Sequence, residues 1–188
     1  MISAILLAAG QSKRMNGENK LTKEVKGLPL IKHSVQNILD SSIDELIVVL
    51  GHQKEIIEKL IERNEKIKLV FNQNFKSGMA SSIKAGLNCL SEKTDAFFVC
   101  LGDMPMVNSD VYNQIIKSKG QKEIIVPTYE KQQGNPVLFA KSMKEKIMDI
   151  SGDVGAKKIL ELNKEKIFYL PIDDSGVVLD FNTQESFK

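Results

Sequence analysis

The sequence predicts an α/β fold in which a doubly wound, mostly parallel sheet carries helices on both faces. Short runs of Val, Ile, Leu and Phe alternate along the chain with segments whose apolar residues recur at helical spacing. The apolar runs are continuous and not interleaved with polar residues, which is typical of strands covered on both sides of a parallel sheet. Strand–helix alternation from the first residues onward indicates the doubly wound arrangement.

The individual elements follow from these two patterns in chain order. Strands are predicted at residues 3–9, 45–51, 67–72, 95–102 and 123–127. Helices are predicted between them, at residues 30–40, 54–64, 81–90 and 109–117. The second half is less regular, with a strand at 135–140, helices at 141–150 and 156–162, and last strands at 167–171 and 176–181.

Length and composition favour one globular domain over residues 1–188, because 188 residues can bury a sizeable core and no repeat or linker interrupts them. No apolar run approaches the roughly 20 residues that cross a bilayer, so no membrane partner is expected. The apolar N-terminus lacks the basic residues that open a signal peptide. The net charge is +2, and Lys and Glu alternate along the predicted helices, which argues against a nucleic-acid partner.

The cysteine and histidine content excludes two common kinds of site. Cys89 and Cys100 are too few for a disulfide framework, so we expect reduced core thiols in a cytoplasmic protein. His33 and His52 do not stand at zinc-binding spacing from these cysteines.

Three polar turns that contain glycine follow predicted strands. They are residues 10–20 after the first strand, Asn72 with residues 77–82 after the third, and residues 102–105 after the fourth. Ligands of such sheets bind beyond the carboxyl ends of the strands. The turns should therefore meet at one edge of the sheet and form a nucleotide site.

The first of these turns has the groups that a triphosphate requires. Ala8, Ala9 and Gly10 form a tight backbone turn. Arg14 provides a planar guanidinium for phosphate oxygens, and Lys20 provides a point charge. The turn matches neither the P-loop nor the dinucleotide-binding glycine pattern. A surface loop with ordinary basic residues is the alternative interpretation.

Seven ordered motifs resemble the MobA-like nucleotidyltransferase family, and especially its branch typified by molybdenum cofactor cytidylyltransferase. They are LAAGQSKRM (7–15) followed by Lys20, GLPLIKHSV (27–35), GMASSIKAGL (78–87), LGDMP (101–105), QGNPVLF (133–139), SGDVGAKKIL (151–160) and LDFNT (179–183). The resemblance covers nearly the whole chain. It implies a Rossmann-like α/β fold of the nucleotide-diphospho-sugar transferase kind.

The resemblance also implies the chemistry. It indicates an NTP and Mg²⁺, with transfer of CMP from CTP to molybdopterin or a related phosphorylated pterin, release of pyrophosphate, and a molybdenum hydroxylase as a possible partner. In this family the LAAG form goes with CTP and the LAGG form with GTP, so Ala9 indicates CTP. Two alternatives remain: a sugar or alditol phosphate as acceptor, or a chaperone that carries molybdenum cofactor to a hydroxylase without catalysis.

Site residues are carried over motif by motif. The expected catalytic residues are Arg14, Lys20 and Asp103, and the expected metal ligands are Asp103 and Asp180. The expected nucleotide-binding residues are Leu7, Ala8, Ala9, Gly10, Ser12, Arg14, Lys20, Asn72, Gly78, Ser82 and Asp103. Around Asp180 the chain departs from the family's usual run of carboxylates, having Phe181 and Asn182. For Ser82, helix capping is the alternative role.

Overall fold

The computed structural model describes residues 1–12, 18–152 and 155–181. Its strands are β1 Ile2–Ala8, β2 Glu24–Val25, β3 Leu28–Pro29, β4 Glu45–Leu50, β5 Ile67–Phe71, β6 Ala96–Leu101, β7 Ile124–Tyr129, β8 Gln132–Gln133, β9 Val137–Ala140 and β10 Ile167–Pro171. Its α-helices are α1 Leu30–Leu39, α2 Lys54–Leu60, α3 Met79–Leu87, α4 Ser109–Lys117, α5 Lys144–Met148 and α6 Ala156–Leu162. Short 3₁₀ turns lie at Lys20–Thr22, Phe75–Ser77, Lys141–Met143, Lys164–Lys166 and Ser175–Val177.

The main sheet has the order β10-β7-β9-β6-β1-β4-β5, with β8 paired to β7. The pairs β1–β4, β1–β6, β4–β5 and β7–β10 are parallel, whereas β9 is antiparallel to both neighbours. The chain between β7 and β9 is too short for a crossover helix, so β9 returns beside β7 in the opposite direction. The predicted α/β class with a mostly parallel sheet is confirmed.

Helices cover both faces of this sheet, as predicted. Successive strand residues point to opposite faces, so each strand contributes to two cores. On one face, Leu6 and Phe98 belong to a buried cluster with residues of α1, α2 and α4. On the other face, Ile5 and Phe97 belong to a cluster with residues of α3, α5 and α6. Among the described residues, no helix is long and apolar enough to cross a membrane.

Several predicted bounds are corrected by the structure. The predicted last strand at 176–181 is wrong, because the Asp174 side chain accepts a hydrogen bond from the Gly176 N–H at 2.8 Å and closes a 3₁₀ turn there. The predicted helix at 54–64 ends at Leu60, the helix at 81–90 is shifted to Met79–Leu87, and the helix at 141–150 is a 3₁₀ turn followed by α5. The two-residue strands β2, β3 and β8 are too short to leave an apolar pattern.

Candidate functional site

A cleft of about 580 Å³ lies beyond the carboxyl ends of β1 and β6. It is lined by Leu7, Ala9, Gly10, Gln11, Ser12, Lys20, Leu21, Phe75, Lys76, Ser77, Gly78, Met79, Ser82, Leu101, Asp103 and Asp180. These residues come from the turns after β1, β5 and β6 and from the segment near the end of the described chain. The predicted meeting of three polar turns at one edge of the sheet is therefore confirmed.

Close backbone packing shapes the floor of the cleft. A Cβ on Gly51 would lie 2.7 Å from the Ala9 Cβ and 2.8 Å from the Phe75 Cβ, so the turns after β1 and β5 close against the bare backbone after β4. A Cβ on Gly10 would meet no atom of the described residues within 4 Å. The Gly10 backbone thus faces open space and leaves room for close approach by a ligand.

Lys20 and Asp103 form an ion pair inside the cleft, with side chains only 18% and 13% exposed. Lys20 opens a 3₁₀ turn that Asn19 caps, since the Asn19 side chain accepts from the Leu21 N–H at 3.1 Å. The Lys20 N–H donates to the Ser12 hydroxyl at 3.1 Å. The backbone of Lys20 is therefore held on both sides, and its ammonium reaches the carboxylate that follows β6.

The segment that carries Asp180 is brought to the same wall by backbone contacts. The Asn135 N–H donates to the Val177 carbonyl at 2.8 Å, and the Phe181 N–H donates to the Asp103 carbonyl at 3.0 Å. A side chain at Gly176 would overlap the Met106 carbonyl, so only glycine allows this close approach. Asp180, adjacent to Phe181, therefore lies beside Asp103 on the cleft.

Two carboxylates and a phosphate-bearing ligand are a donor set that fits Mg²⁺. Magnesium typically takes one or two protein carboxylates and completes its shell with substrate oxygens and water. Asp103 and Asp180 are two carboxylates on this lining, and Lys20 is paired with Oδ2 of Asp103. Within the described part of the chain no group of three or more His, Cys, Asp or Glu could hold a metal alone. A metal here would accordingly depend on the nucleotide for its remaining ligands.

The wall opposite this pair is formed by the start of α3. Gly78 precedes the helix with φ of 110°, a backbone conformation that side chains disfavour. Ser82, 5% exposed, lines the cleft as the fourth residue of α3. Behind it Asn72, also 5% exposed, donates from Nδ2 to the Ser81 hydroxyl at 2.8 Å and to the Ser82 hydroxyl at 3.0 Å.

Most of the expected site residues meet in this cleft. Those that line it are Leu7, Ala9, Gly10, Ser12, Lys20, Gly78, Ser82, Asp103 and Asp180. Ala8 and Asn72 do not line it: Ala8 is 1% exposed and belongs to the core beneath α1, α2 and α4, and Asn72 lies beneath Ser82. The expected residue Arg14 lies outside the described residues.

Sequence reasoning missed several lining residues, chiefly Phe75, Lys76 and Met79. Lys76 could have been found, because it is a cation in the turn after β5, which the strand-end argument already singled out. Phe75 and Met79 left no such signal, since single apolar residues usually belong to the core.

His52 and His33 do not line the cleft. The backbone N–H of His52 donates to the Ala9 carbonyl at 3.3 Å, and the His33 ring contacts the Val25 carbonyl.

Behind the Asp103 turn, Cys100 and Tyr112 are buried together in the core. Burial raises the pKa of the Cys100 thiol to about 12, with a smaller opposing effect from its hydrogen bond with Tyr112. Burial also raises the pKa of the Tyr112 phenol well above its usual value. Both groups are therefore neutral at physiological pH, and Cys100 has the buried, reduced state expected of a core thiol.

Comparison with known proteins agrees with this geometry. The MobA-like NTP transferase domain family matches residues 4–167. The chain belongs to this family. Among curated relatives, the bifunctional protein GlmU of Thermosipho africanus is 30% identical over 86% of this chain and 36% of its own length. A probable molybdenum cofactor guanylyltransferase of Methanosarcina acetivorans is 28% identical over 79% of this chain and 66% of its own length.

Both relatives are therefore longer than the region that this chain matches, which spans about a third of GlmU. Among solved structures, Rv0371c of Mycobacterium tuberculosis H37Rv superposes with a TM-score of 0.88 at 22% identity, covering 99% of this chain and 95% of that one. A manganese complex of Rv0371c superposes with a TM-score of 0.82 at 20% identity, covering 99% and 95%. These structural likenesses show that the chain shares its fold with Rv0371c.

Proposed function

We propose that this MobA-like protein is a Mg²⁺-dependent nucleotidyltransferase that transfers CMP from CTP to a phosphorylated pterin of the molybdopterin type and releases pyrophosphate. One observation carries the proposal: Lys20, Asp103 and Asp180 line the same cleft as the open backbone of Gly10. Cation, carboxylate pair and accessible backbone are together what a metal-bound triphosphate needs.

The triphosphate would lie along the Lys20 side of the cleft. Lys20 is held at its backbone by Ser12 and the capped turn, and its ammonium is held in the cleft by the ion pair with Asp103. Lys76 adds a cation on the lining. Arg14, outside the described residues, is proposed as a further phosphate ligand. Cations placed in advance stabilise the charge that develops during transfer without reorganisation.

Asp103 and Asp180 are the proposed metal ligands. When bound there, Mg²⁺ would polarise the α-phosphate and offset its charge. The Phe181 N–H donates to the Asp103 carbonyl, and this hydrogen bond holds Asp180, the residue before Phe181, close to Asp103. Asp103 would exchange its pairing with Lys20 for the metal, leaving Lys20 to face phosphate oxygens.

The transfer step mainly requires that the acceptor phosphate and the α-phosphate be aligned. An oxygen of the acceptor phosphate attacks the α-phosphorus, the bond from that phosphorus to the bridging oxygen breaks, and pyrophosphate leaves with the bonding electrons. A phosphate monoester is already ionised near pH 7, so the mechanism needs no general base. This agrees with a lining that contains no histidine among the described residues. The roles of the chain are therefore to hold both ligands in line and to neutralise charge.

Base choice and acceptor rest on the family resemblance. Ala9, the second alanine of LAAG, supports CTP, and its side chain is 5% exposed on the cleft lining. The second candidate is guanylyl transfer, which the name of the Methanosarcina relative favours. A phosphorylated pterin is the favoured acceptor, with a molybdenum hydroxylase as the enzyme that would take up the product. Sugar and alditol phosphates are the competing acceptors.

The deciding experiment offers the purified protein CTP, GTP, ATP and UTP, each with molybdenum cofactor, a sugar phosphate or an alditol phosphate. Pyrophosphate release and the mass of the product are measured with Mg²⁺ and with EDTA. The expected result is a Mg²⁺-dependent cytidylyl adduct of the cofactor. A guanylyl adduct would overturn the base assignment, and an alditol or sugar adduct would overturn the acceptor. No turnover with any pair would overturn the enzyme proposal and favour a cofactor carrier.

A further inference from the structure

Strand β5 is an edge of the main sheet, and one row of its main-chain groups faces outward. Among the described strands it pairs only with β4. The Asn72 N–H, directly after the strand, donates to the Leu50 carbonyl at 2.9 Å, so the even-numbered residues of β5 bond to β4. Bonded and outward residues alternate along an edge strand. Leu69 and Phe71 consequently direct their N–H and C=O groups away from the sheet.

The opposite edge, β10, is protected against a further strand. The Ile172 N–H donates to the Thr128 carbonyl at 2.8 Å, so the even-numbered residues of β10 bond to β7 and the odd-numbered ones face outward. Pro171 belongs to the outward row, and proline has no N–H to offer a further strand. Strand β5, with the sequence IKLVF, contains no proline. The sheet is therefore closed at β10 and open at β5.

An apolar groove of about 430 Å³ lies beside the open edge, on the face that carries α2. Three apolar and three charged residues line it, namely Ile61, Ile67, Leu69, Glu62, Arg63 and Glu65. Glu62 is paired with Lys32 at 3.2 Å, whereas Glu65 takes part in no ion pair among the described residues. The two carboxylates outnumber the guanidinium, so the lining of this β5 groove has an excess of negative charge.

The other end of β5 has the groups that complement this groove. Phe71 is 42% exposed and lies on the same face as Leu69, because residues two apart on a strand point the same way. The ammonium of Lys54, the first residue of α2, lies 4.1 Å from the centre of the Phe71 ring. One end of the strand thus presents an exposed ring with a cation, and the other end presents an apolar groove with excess carboxylate.

We infer that β5 pairs in antiparallel orientation with β5 of a second copy of this chain, about a twofold axis at Leu69. In this register the Leu69 N–H donates to the Leu69 carbonyl of the second copy, and the Phe71 N–H donates to the Ile67 carbonyl. The Phe71 ring enters the β5 groove of the second copy, and Lys54 comes beside Glu65. A twofold axis repeats every contact, so one surface complements itself. The inference is independent of the proposed nucleotidyl transfer.

The first test measures molecular mass by sedimentation equilibrium over a range of concentrations, together with thermal unfolding. The wild type should approach twice the 21.0 kDa mass of one chain as concentration rises. Leu69→Pro removes an N–H that β4 does not use, and the twofold axis removes it twice. It should raise the dissociation constant of the dimer roughly 5- to 150-fold, with little change in the thermal midpoint. Val70→Pro is the control, because its N–H bonds to β4 and its loss should lower the thermal midpoint.

A wild type that keeps the mass of one chain up to millimolar concentration would overturn the inference, and so would a Leu69→Pro variant that folds and still dimerises like the wild type.

A charge exchange tests the register without proline. Lys54→Glu should raise the dissociation constant at least about threefold, because its carboxylate would face Glu65 of the second copy. The double variant Lys54→Glu/Glu65→Lys should restore the dimer, which a change acting only on local stability would not do. Leu162→Glu removes an apolar side chain that is 67% exposed on α6, and it should dimerise like the wild type. A double variant no better than Lys54→Glu would contradict the inference.

A cross-link tests the position of the twofold axis. Opposite residues of an antiparallel pair have Cα atoms about 5.5 Å apart, within reach of a disulfide. Leu69→Cys in a Cys89→Ser background should therefore give a covalent dimer on mild oxidation. Tyr169→Cys, at an exposed position of the closed edge β10, is the control and should remain a single chain. No covalent dimer from Leu69→Cys, or equal cross-linking by the control, would overturn the inference.

Discussion

The ammonium of Lys20 is paired with the carboxylate of Asp103, so the proposed phosphate ligand neutralises the proposed metal ligand. Both side chains are largely shielded from water, which strengthens their mutual attraction compared with a surface pair. A metal ion arriving alone must compete with Lys20 for this carboxylate. A metal ion arriving with a triphosphate does not, because the phosphates give Lys20 a new partner.

Lys20→Ala should therefore bind divalent metal more tightly than the wild type in the absence of nucleotide, and bind CTP more weakly. Removing a unit charge about 4 Å away is worth between about 1 and 4 kcal/mol at effective dielectrics of 80 to 20, so at least a fivefold change in metal affinity is expected. Titration of Mn²⁺ followed by electron paramagnetic resonance measures it directly. Lys23→Ala, which removes a partly exposed cation paired with Glu18, is the control. Weaker metal binding by Lys20→Ala would contradict the competition.

Asp103→Asn should reduce Mg²⁺-dependent transfer by roughly 10²-fold or more, by analogy with removal of one strong electrostatic stabiliser. The amide has nearly the same shape, and the residue lies at the end of β6 with its carbonyl still able to accept from the Phe181 N–H. The thermal midpoint should therefore stay close to that of the wild type. Pyrophosphate release is the assay, and Asp173→Asn at an exposed position is the control. Undiminished turnover would remove Asp103 from the mechanism.

The sequence predicted the cleft better than it predicted the details within it. Continuous apolar runs identify buried parallel strands, and glycine with polar residues directly after them identifies the ligand-binding edge, so Gly10, Lys20 and Asp103 could be placed together. Convergence of Asp180 on this edge depends on hydrogen bonds to Val177 and Phe181 that span more than 40 residues. No local pattern encodes such contacts.

Asn72 shows a second limit of the sequence. A polar residue at the end of a strand is expected to face the ligand, but Asn72 donates both Nδ2 hydrogens to the two serines of α3 and its Oδ1 accepts from the Asn74 N–H. Spacing cannot reveal which way a side chain turns. The antiparallel strand β9 shows a third limit of the sequence. Its apolar pattern is the same in either direction, and only the short connection from β7 determines that the strand runs antiparallel.

Gly51→Ala should impair nucleotide binding as well as stability. The added methyl would stand 2.7 Å from the Ala9 Cβ and 2.8 Å from the Phe75 Cβ, and both residues line the cleft. Overpacking of this kind costs about 1–3 kcal/mol of unfolding free energy. Gly10→Ala is the matched control, since its methyl would meet no atom within 4 Å in the part of the chain that the structure describes. It should leave stability nearly unchanged, as chemical denaturation would show, while obstructing ligand approach.

Cys100 should be unreactive in the folded protein, whereas Cys89, which is partly exposed, should react. With a pKa of about 12, almost none of the Cys100 thiol is ionised at pH 8, and only the thiolate attacks a disulfide reagent. Ellman's reagent should therefore titrate one thiol in buffer and two in denaturant. Rapid reaction of a Cys89→Ser variant would contradict this assignment.

The same raised pKa fixes the sign of a stability change at high pH. Between about pH 9, the usual pKa of a cysteine thiol, and pH 12, its pKa in the fold, the unfolded chain releases the Cys100 proton while the folded chain keeps it. Folding stability should therefore fall as pH rises through this window, and Tyr112 should add to the fall because its pKa is raised too. Urea denaturation at pH 8 and pH 10.5 measures the loss, which should be smaller in Cys100→Ala.

Ala9→Gly should shift base preference toward GTP, but only modestly. The methyl of Ala9 narrows the lining beside the proposed base, and a two-ring purine needs more room than a pyrimidine. Ala9 is nevertheless 5% exposed, and its methyl lies against the backbone of Gly51, so only part of it faces the ligand. A whole methylene in a binding pocket discriminates by about 1–3 kcal/mol, and the partial effect here should fall at the low end, within roughly tenfold. Competition of CTP with GTP in one reaction, followed by product mass, gives the ratio directly. Identical ratios in the wild type and Ala9→Gly would show that the base is recognised elsewhere, and Ser82 on the α3 wall would then be the first residue to examine.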